Sequence, residues 1–280
     1  MAAVLVALAG GLAAAIGALI LSSASAPAEP VAVSRVETAD IHALAFLGGP
    51  DRVILGHHHG ILESTDGGRT WSSWGTGSDA MALGIAADQS IVIAGHDVFA
   101  RGTPDGRWQD IENDLPHIDI HGFALDPREP DRMWAYLADG GLYESTDGGA
   151  HWQLVFDGHT LATHAVDRGG TTALLAVDPE RAALVASDDG GRTWQPIASP
   201  PATPVYALAA ARAGRTVLFS GGQGVFRSDD GGQTFSRLVD FGQPALAIAV
   251  SEDGTTVIMA TRDRQVYRSD DGGRSWPGAT

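Results

Sequence analysis

The sequence predicts an all-β fold, a six-bladed β-propeller, preceded by an N-terminal hydrophobic segment. The first observation is a short glycine-rich motif that occurs six times, with central aspartates at positions 66, 105, 147, 189, 230 and 271. The second is the period, because successive aspartates are 39, 42, 42, 41 and 41 residues apart. The third is that each interval holds short apolar segments separated by turn residues. This pattern is typical of propeller blades or solenoid coils, and a solenoid would need capping repeats, of which the sequence shows none.

The recurring motif favours a tight hairpin. Its first copy, Ser64–Trp71, reads Ser-Thr-Asp-Gly-Gly-Arg-Thr-Trp. The other copies are residues 145–152, 187–194, 228–235 and 269–276, with a shorter, degenerate one at 103–108. Paired glycines permit positive φ angles, and the Asp carboxylate can accept hydrogen bonds from turn amides. Each copy is therefore predicted to join the third and fourth strands of a blade.

The first repeat shows how four strands fill the period. Its predicted strands are residues 41–47, 53–57, 61–64 and 70–74, with turn residues between them. Later repeats follow the same order, but the last one stops at Thr280, with Pro277 where its outer strand should run. Residues 31–37 form a spare segment with alternating apolar residues. We expect this segment to close the ring, so residues 27–39 are assigned as linker and ring-closing strand and residues 40–280 as the propeller.

The N-terminus indicates export. Val4–Leu21 is a run of 18 uncharged, mostly apolar residues, followed by small residues that suit a signal-peptidase cut after Ala24. The run is also long enough to cross a bilayer, because about 30 Å of hydrocarbon needs roughly 20 helical residues. Residues 1–26 are therefore predicted to be a signal peptide or a membrane anchor, and both place the propeller outside the cytoplasm. A buried hydrophobic helix of the domain is the remaining alternative.

Composition excludes several classes of protein. The formal net charge is −16, so a polyphosphate would meet repulsion and nucleic acid is not an expected partner. Cysteine is absent, which removes disulfides, thiolate metal sites and Cys nucleophiles. The chain also lacks Gly-x-Ser-x-Gly, His-Glu-x-x-His and phosphate-loop motifs. Neither the common hydrolase signatures nor a nucleotide cofactor is indicated.

The five near-complete motifs resemble the BNR or Asp-box repeat, found in sialidases, photosystem II assembly factors and sortilin-like receptors. The resemblance covers residues 40–280, and it implies that the box aspartates lie at the periphery and are structural. Sialidases carry an Arg-Ile-Pro element, three substrate-gripping arginines and a Tyr nucleophile paired with Glu. Arg35-Val36-Glu37 does not match that element, and Tyr206 is the only tyrosine at the start of a strand. Sialidase chemistry is therefore not expected, and the acidic charge departs from the photosystem factors.

Histidine is concentrated in the first three repeats. Asp-Ile-His at 40–42, Asp-Ala-Met at 79–81 and Asp-Ile-His at 119–121 recur at offsets of 39 and 40. We therefore expect His42, Met81 and His121 to occupy equivalent positions in adjacent blades. The turns after the second strands add further candidates at the same end of the channel, namely His57, His58, His59 and His96. Imidazoles with a thioether suit copper best and zinc second, so we predict a copper or zinc site at the mouth of the central channel. The alternative is a hydrated mouth whose histidines bond only water and backbone.

Carboxylates share this predicted mouth, and the candidates for catalysis are Asp40, Asp79 and Asp119. A pair about 5 to 9 Å apart could act as acid and base on a glycoside. The sequence therefore leaves two functions open. One is a binding propeller with a His-, Met- and Asp-rich ligand site, and the other is a glycoside hydrolase that uses paired Asp residues. The expected ligand is a small molecule, a glycan or a protein segment.

Overall fold

A computed structural model describes residues 30–38, 40–75 and 77–276. The predicted signal or anchor segment at residues 1–26 lies outside the described residues, as does Pro277. Within the described part of the chain, the regular elements are all strands. No helix among these residues is long and apolar enough to cross a membrane.

Twenty-four strands follow one another along the described chain. The first twelve are β1 Ser34–Arg35, β2 Ile41–Phe46, β3 Val53–His57, β4 Gly60–Ser64, β5 Ser72–Ser73, β6 Ala82–Ile85, β7 Ile91–Gly95, β8 Val98–Gly102, β9 Trp108–Asp110, β10 Ile120–Leu125, β11 Met133–Leu137 and β12 Gly141–Ser145. The others are β13 Gln153–Phe156, β14 Leu161–Asp167, β15 Thr172–Asp178, β16 Ala183–Ser187, β17 Gln195–Ala198, β18 Val205–Ala210, β19 Val217–Gly221, β20 Gly224–Ser228, β21 Ser236–Val239, β22 Ala245–Val250, β23 Val257–Thr261 and β24 Gln265–Ser269.

These strands form six antiparallel sheets of four strands each, which we number as blades along the chain. Blade 1 is β2 to β5, blade 2 is β6 to β9, blade 3 is β10 to β13, blade 4 is β14 to β17 and blade 5 is β18 to β21. Blade 6 consists of β22, β23 and β24 with β1 at its outer edge. The innermost strands β2, β6, β10, β14, β18 and β22 contact one another in cyclic order. The predicted six-bladed β-propeller is confirmed.

The ring is closed by the segment that precedes blade 1. β1 pairs antiparallel with β24, with Ser34 opposite Val266. Val33 donates its N–H to the Val266 carbonyl at 2.8 Å, and Val36 donates to the Arg264 carbonyl at 3.0 Å. The Val36 side chain is only 1% exposed, within a cluster that includes Val266 and Ile41. Chain segments from both ends of the described sequence therefore share one blade.

The core lies between neighbouring blades. Every residue of the middle strands β3, β7, β11, β19 and β23 is buried, because the two neighbouring blades cover the two faces of each blade. Ile54 and Ile61 of blade 1, for example, pack with Ile91 and Ile93 of blade 2. Short strands with continuous apolar runs suit this two-sided burial.

In blades 1 to 5 the repeated motif forms the predicted turn between the third and fourth strands. In blade 4, Ser187 Oγ donates to Asp189 Oδ1 at 2.7 Å and accepts the N–H of Gly191 at 2.8 Å. The N–H and hydroxyl of Thr193 donate to the same carboxylate at 2.9 and 2.6 Å. The third strand runs from the turn after the second strand to this hairpin. The motif therefore lies at the opposite end of the blade from that turn.

Candidate functional site

The six innermost strands line a central channel, and one end of it encloses about 370 Å³. Each innermost strand, or the residue just before it, contributes to this end, so the wall is a ring of equivalent positions: His42, Met81, His121, Ala162, Tyr206 and Leu246. The strand pairing skips a residue at His42, His121, Tyr206 and Leu246. A β-bulge re-aims the side chain that it carries. The bulges account for a shared orientation toward the channel.

The two halves of this ring differ in chemistry. Blades 1 to 3 contribute His42, Met81 and His121, whereas blades 5 and 6 contribute Tyr206 and Leu246. On the second half, the guanidinium carbon of Arg262 lies 5.4 Å from the centre of the Tyr206 ring. Metal-ligating side chains are thus grouped on one side of the channel mouth.

Contacts between blades bring the histidines to the aspartates. The turn after the second strand of one blade lies against the loop that leads into the next blade, since Ala80 donates its N–H to the His57 carbonyl at 3.2 Å. In the same way Asp97 donates to the Ile118 carbonyl at 2.9 Å. A Cβ atom on Gly95 would overlap the carbonyl oxygen of Asp79. Glycine at this position lets the loop that carries Asp79 pack against the end of β7.

The first group of ligand atoms lies between blades 2 and 3, and we call it the blade 2–3 cluster: His96, Asp119 and His121. His96 Nε2 lies 3.1 Å from Asp119 Oδ1 and 3.2 Å from His121 Nε2. His121 Nε2 lies 2.9 Å from the same Asp119 oxygen. Three ligand atoms therefore form a nearly equilateral triangle at the channel mouth.

The second group lies between blades 1 and 2, and we call it the blade 1–2 cluster: His42, His58 and Asp79. His42 Nε2 is 3.6 Å from Asp79 Oδ1, and His58 Nδ1 is 3.2 Å from Asp79 Oδ2. Asp79 also joins the two groups, because His96 Nδ1 lies 2.6 Å from its Oδ2. The Asp79 side chain is only 9% exposed. This buried carboxylate is the common point of the site.

The triangle fits a metal ion better than hydrogen bonding alone. An N–H donor aimed at one corner of a near-equilateral triangle cannot also point at the other corner. Ligand atoms about 2.0–2.2 Å from a tetrahedral zinc ion lie roughly 3.3–3.6 Å apart, and those of an octahedral ion of that size about 3 Å apart. The 2.9–3.2 Å edges of the blade 2–3 cluster match the octahedral separation and are slightly shorter than the tetrahedral one. One cation would satisfy all three atoms together.

The protonation of the ligands agrees with this arrangement. Because a carboxylate only accepts hydrogen bonds, the contact with Asp79 assigns the proton of the metal-binding form of His96 to Nδ1 and leaves the Nε2 lone pair free to bind an ion beside Asp119 and His121. Burial lowers the pKa of His42 from its ordinary value, although the nearby Asp79 carboxylate acts in the opposite direction. A lowered pKa keeps this imidazole neutral at neutral pH, which is the form that binds metals.

Several residues predicted for the site lie elsewhere at the mouth. His57 Nδ1 is 2.8 Å from the Thr38 hydroxyl and accepts the N–H of His59 at 3.2 Å. Burial, followed by the neighbouring His59, lowers the pKa of His57. The ring of His59 lies 5.3 Å from that of His58, centre to centre. Asp40 is exposed, with a positive φ of 56°. Met81 lines the channel beside the clusters.

Two features of this end of the propeller were not predicted from the sequence. Asp79 and Asp119 were predicted only as candidates for catalysis, and the structure places both among the imidazoles as potential metal ligands. Tyr136 was given no role, and its hydroxyl lies 2.7 Å from His159 Nδ1. The available signal was the spacing, since each of these pairs joins a second strand or its turn to the loop before the next blade.

Comparison with known protein sequences gives a partial match. No family model matches the chain. The dispase autolysis-inducing protein of Streptomyces mobaraensis is 29% identical over 118 residues, a match that spans 40% of this chain and 30% of that protein. Because the match covers less than half of either protein, the activity of that relative could be carried over to this chain only as a proposal.

Solved structures cover more of the chain. YCF48 from Cyanidioschyzon merolae is 19% identical, with a TM-score of 0.55 over 89% of this chain and 88% of that chain. YCF48 bound to D1 peptide gives 19% identity and a TM-score of 0.54 over 87% and 83%. A gluconolactonase from Xanthomonas campestris is 14% identical, with a TM-score of 0.68 over 88% and 89%. At these identities the likeness shows the propeller fold alone.

Proposed function

We propose that this chain is an extracytoplasmic binding propeller that holds a divalent transition-metal ion at the mouth of its central channel. The observation that carries the proposal is the blade 2–3 cluster, in which three ligand atoms lie 2.9–3.2 Å from one another. Asp79 orients one of these ligands, because its Oδ2 accepts the Nδ1–H of His96 at 2.6 Å. Metal-binding histidines commonly donate their other N–H to a carboxylate in this way.

The donor set points to the class of metal. Two imidazoles and one carboxylate suit Zn²⁺, Cu²⁺ or Fe²⁺, whereas Ca²⁺ and Mg²⁺ prefer oxygen ligands throughout. Three protein ligands on a tetrahedral ion leave one position for water or a ligand. Zinc is our first choice, and copper, favoured by the sequence on account of Met81, is the second.

The proposed location and family rest on the sequence. The apolar run Val4–Leu21 supports export, with the propeller held outside the cytoplasm. The five boxes support membership of the Asp-box repeat propellers, and the hydrogen bonds of Ser187, Asp189 and Thr193 are what such a hairpin requires. A peptide, such as the one bound by YCF48, is one class of partner that a propeller of this kind can take.

A glycoside hydrolase that uses paired aspartates is less well supported by the geometry. His96 lies between two of the candidates, with Nδ1 2.6 Å from Asp79 and Nε2 3.1 Å from Asp119. Acid–base cleavage needs the two carboxyl groups to flank the glycosidic bond. An imidazole occupies that intervening space here, so metal binding is preferred.

The test is calorimetric titration of the full-length chain with Zn²⁺, using protein purified without a polyhistidine tag and stripped with a chelator. We expect at least one zinc ion per chain, with no comparable binding of Ca²⁺. The double variant His96→Ala, His121→Ala should lose at least one ion. His151→Thr is the matched control, because it removes an exposed imidazole from a box and installs the residue found in blades 1, 4 and 5. Absence of zinc binding, or equal binding by the double variant, would refute the proposal.

A further inference from the structure

Two buried polar atoms in the blade 1–2 cluster are without a hydrogen-bond partner. They are His42 Nε2 and Asp79 Oδ1, and neither has a partner within the part of the chain that the structure describes. They face each other at 3.6 Å, which is too long for a hydrogen bond. Leaving a buried polar group unsatisfied costs about 1–3 kcal/mol, so such pairs call for an explanation.

The separation of these two atoms suits a cation that bridges them. Ligands about 2.0–2.2 Å from one ion lie roughly 3.3–3.8 Å apart when the angle at the ion is between tetrahedral and 120°. A third ligand is at hand in His58, whose Nδ1 lies 3.2 Å from Asp79 Oδ2. All three residues offer ligand atoms within 4.8 Å of one another. The donor set repeats that of the blade 2–3 cluster, two imidazoles and one carboxylate.

We propose that His42, His58 and Asp79 form a second divalent-cation site, so that the channel mouth holds a two-ion centre with Asp79 common to both ions. In this centre Asp79 Oδ1 binds the ion of the blade 1–2 cluster, while Oδ2 accepts the His96 N–H and orients the imidazole that binds the other ion. The inference rests on the proposed function, because it extends metal binding from one cluster to two.

The shared carboxylate makes the two sites interdependent. An ion on Oδ1 withdraws charge from the acceptor of His96 and so weakens the basicity of His96 Nε2, and the two cations also repel each other. Both effects oppose simultaneous binding, and coupling between sites is reciprocal. We expect the second zinc ion to bind about 10-fold or more weakly than the first. Replacing an outer partner of a metal-binding histidine typically weakens binding by about 10–100-fold.

The experiment measures stoichiometry on the full-length chain, untagged and chelator-stripped, by zinc titration against a chromophoric chelator and by elemental analysis. The wild type should bind two ions per chain. His42→Ala and His58→Ala should each leave one ion, as should His121→Ala, and His42→Ala with His121→Ala should leave none. His58 has a 48% exposed side chain, so its variant is expected to fold even if the His42 variant does not. His151→Thr should bind two.

The remaining outcomes separate this inference from the proposed function. A wild type that binds one ion, lost in His121→Ala and kept in His42→Ala and His58→Ala, would overturn the second site while leaving the proposed function intact. A wild type that binds none would overturn both. Asp79→Asn should lower the zinc affinity of both clusters, by about 10-fold or more at the blade 2–3 cluster. Unchanged affinity in that variant would contradict the shared role of Asp79.

Discussion

At the scale of single residues, the box aspartates set how the fold responds to acid. Burial would raise the pKa of Asp189, but hydrogen bonds from the hydroxyl and amide of Thr193, and from Ser187, hold it down at about 2. The pKa of Asp66 and Asp271 is likewise lowered to about 2 by the same kinds of bond. The ionised carboxylate is therefore the form that ties the hairpin together.

The first prediction concerns Asp189→Asn. At pH 7 the variant should be less stable by about 1 kcal/mol, because charged hydrogen bonds are lost at an exposed turn. A lowered pKa in the folded state gives stability that is complete above the unfolded pKa of about 3.9 and is lost as pH falls toward 2. The gap between wild type and variant should therefore close from about pH 4 to pH 2, as measured by urea unfolding.

The neighbouring residue provides the control. Asp188 has an 80% exposed side chain and only a 3.8 Å ion pair with Arg168. Asp188→Asn should change stability by less than about 0.5 kcal/mol at any pH in this range. A similar loss in both variants would mean that the box carboxylate has no special role.

At the scale of elements, ring closure depends on a two-residue strand and its flanking valines. Val36 is 1% exposed against the blade 6 residues Val266 and Ile258, whereas Val31 is 55% exposed. We predict that Val36→Asp lowers the free energy of unfolding by about 3 kcal/mol or more, because it buries an unpaired charge. Val31→Asp should be nearly neutral. Equal denaturant midpoints for the two variants would show that β1 does not hold the ring closed.

The sequence predicted the elements well because each blade is defined by local chemistry. Paired glycines at 67 and 68 have φ angles of 74° and 91°, conformations that glycine adopts readily, so the hairpins and their period identify the blades. The outermost strand of blade 1 was predicted too long. Residues 70–74 were expected in blade 1, but only Ser72–Ser73 is a strand. Thr70 bonds Asp66 through its amide and hydroxyl and so belongs to the hairpin.

At the scale of the whole molecule, the site could be predicted only in outline. Repeat alignment placed His42, Met81 and His121 at equivalent positions, and all three line the channel. It could not show which imidazole meets which carboxylate, because those contacts form between a turn of one blade and a loop of the next. For the same reason, adjacent histidines have different partners. His57 ends β3 and bonds Thr38, whereas His58 lies in the turn and contacts Asp79.

The last prediction follows from the span of the site across three blades. His42 and His58 belong to blade 1, Asp79 and His96 to blade 2, and Asp119 and His121 to blade 3, so bound zinc would link three adjacent sheets. A ligand at 100 times its Kd stabilises the folded state by about 2.7 kcal/mol. For a domain of this size, this corresponds to a rise in melting temperature of roughly 5–10 °C.

Zinc at that excess should therefore raise the melting temperature of the wild type and of His151→Thr by the same amount, and a chelator should reverse the rise. The double variant His42→Ala, His121→Ala takes one ligand from each cluster and should show little or no rise. Its metal-free melting temperature should stay close to that of the wild type, because both imidazoles line the channel mouth and are partly exposed there, 23% for His42 and 34% for His121. If zinc stabilised the double variant as much as the wild type, the ion would have to bind elsewhere on the propeller.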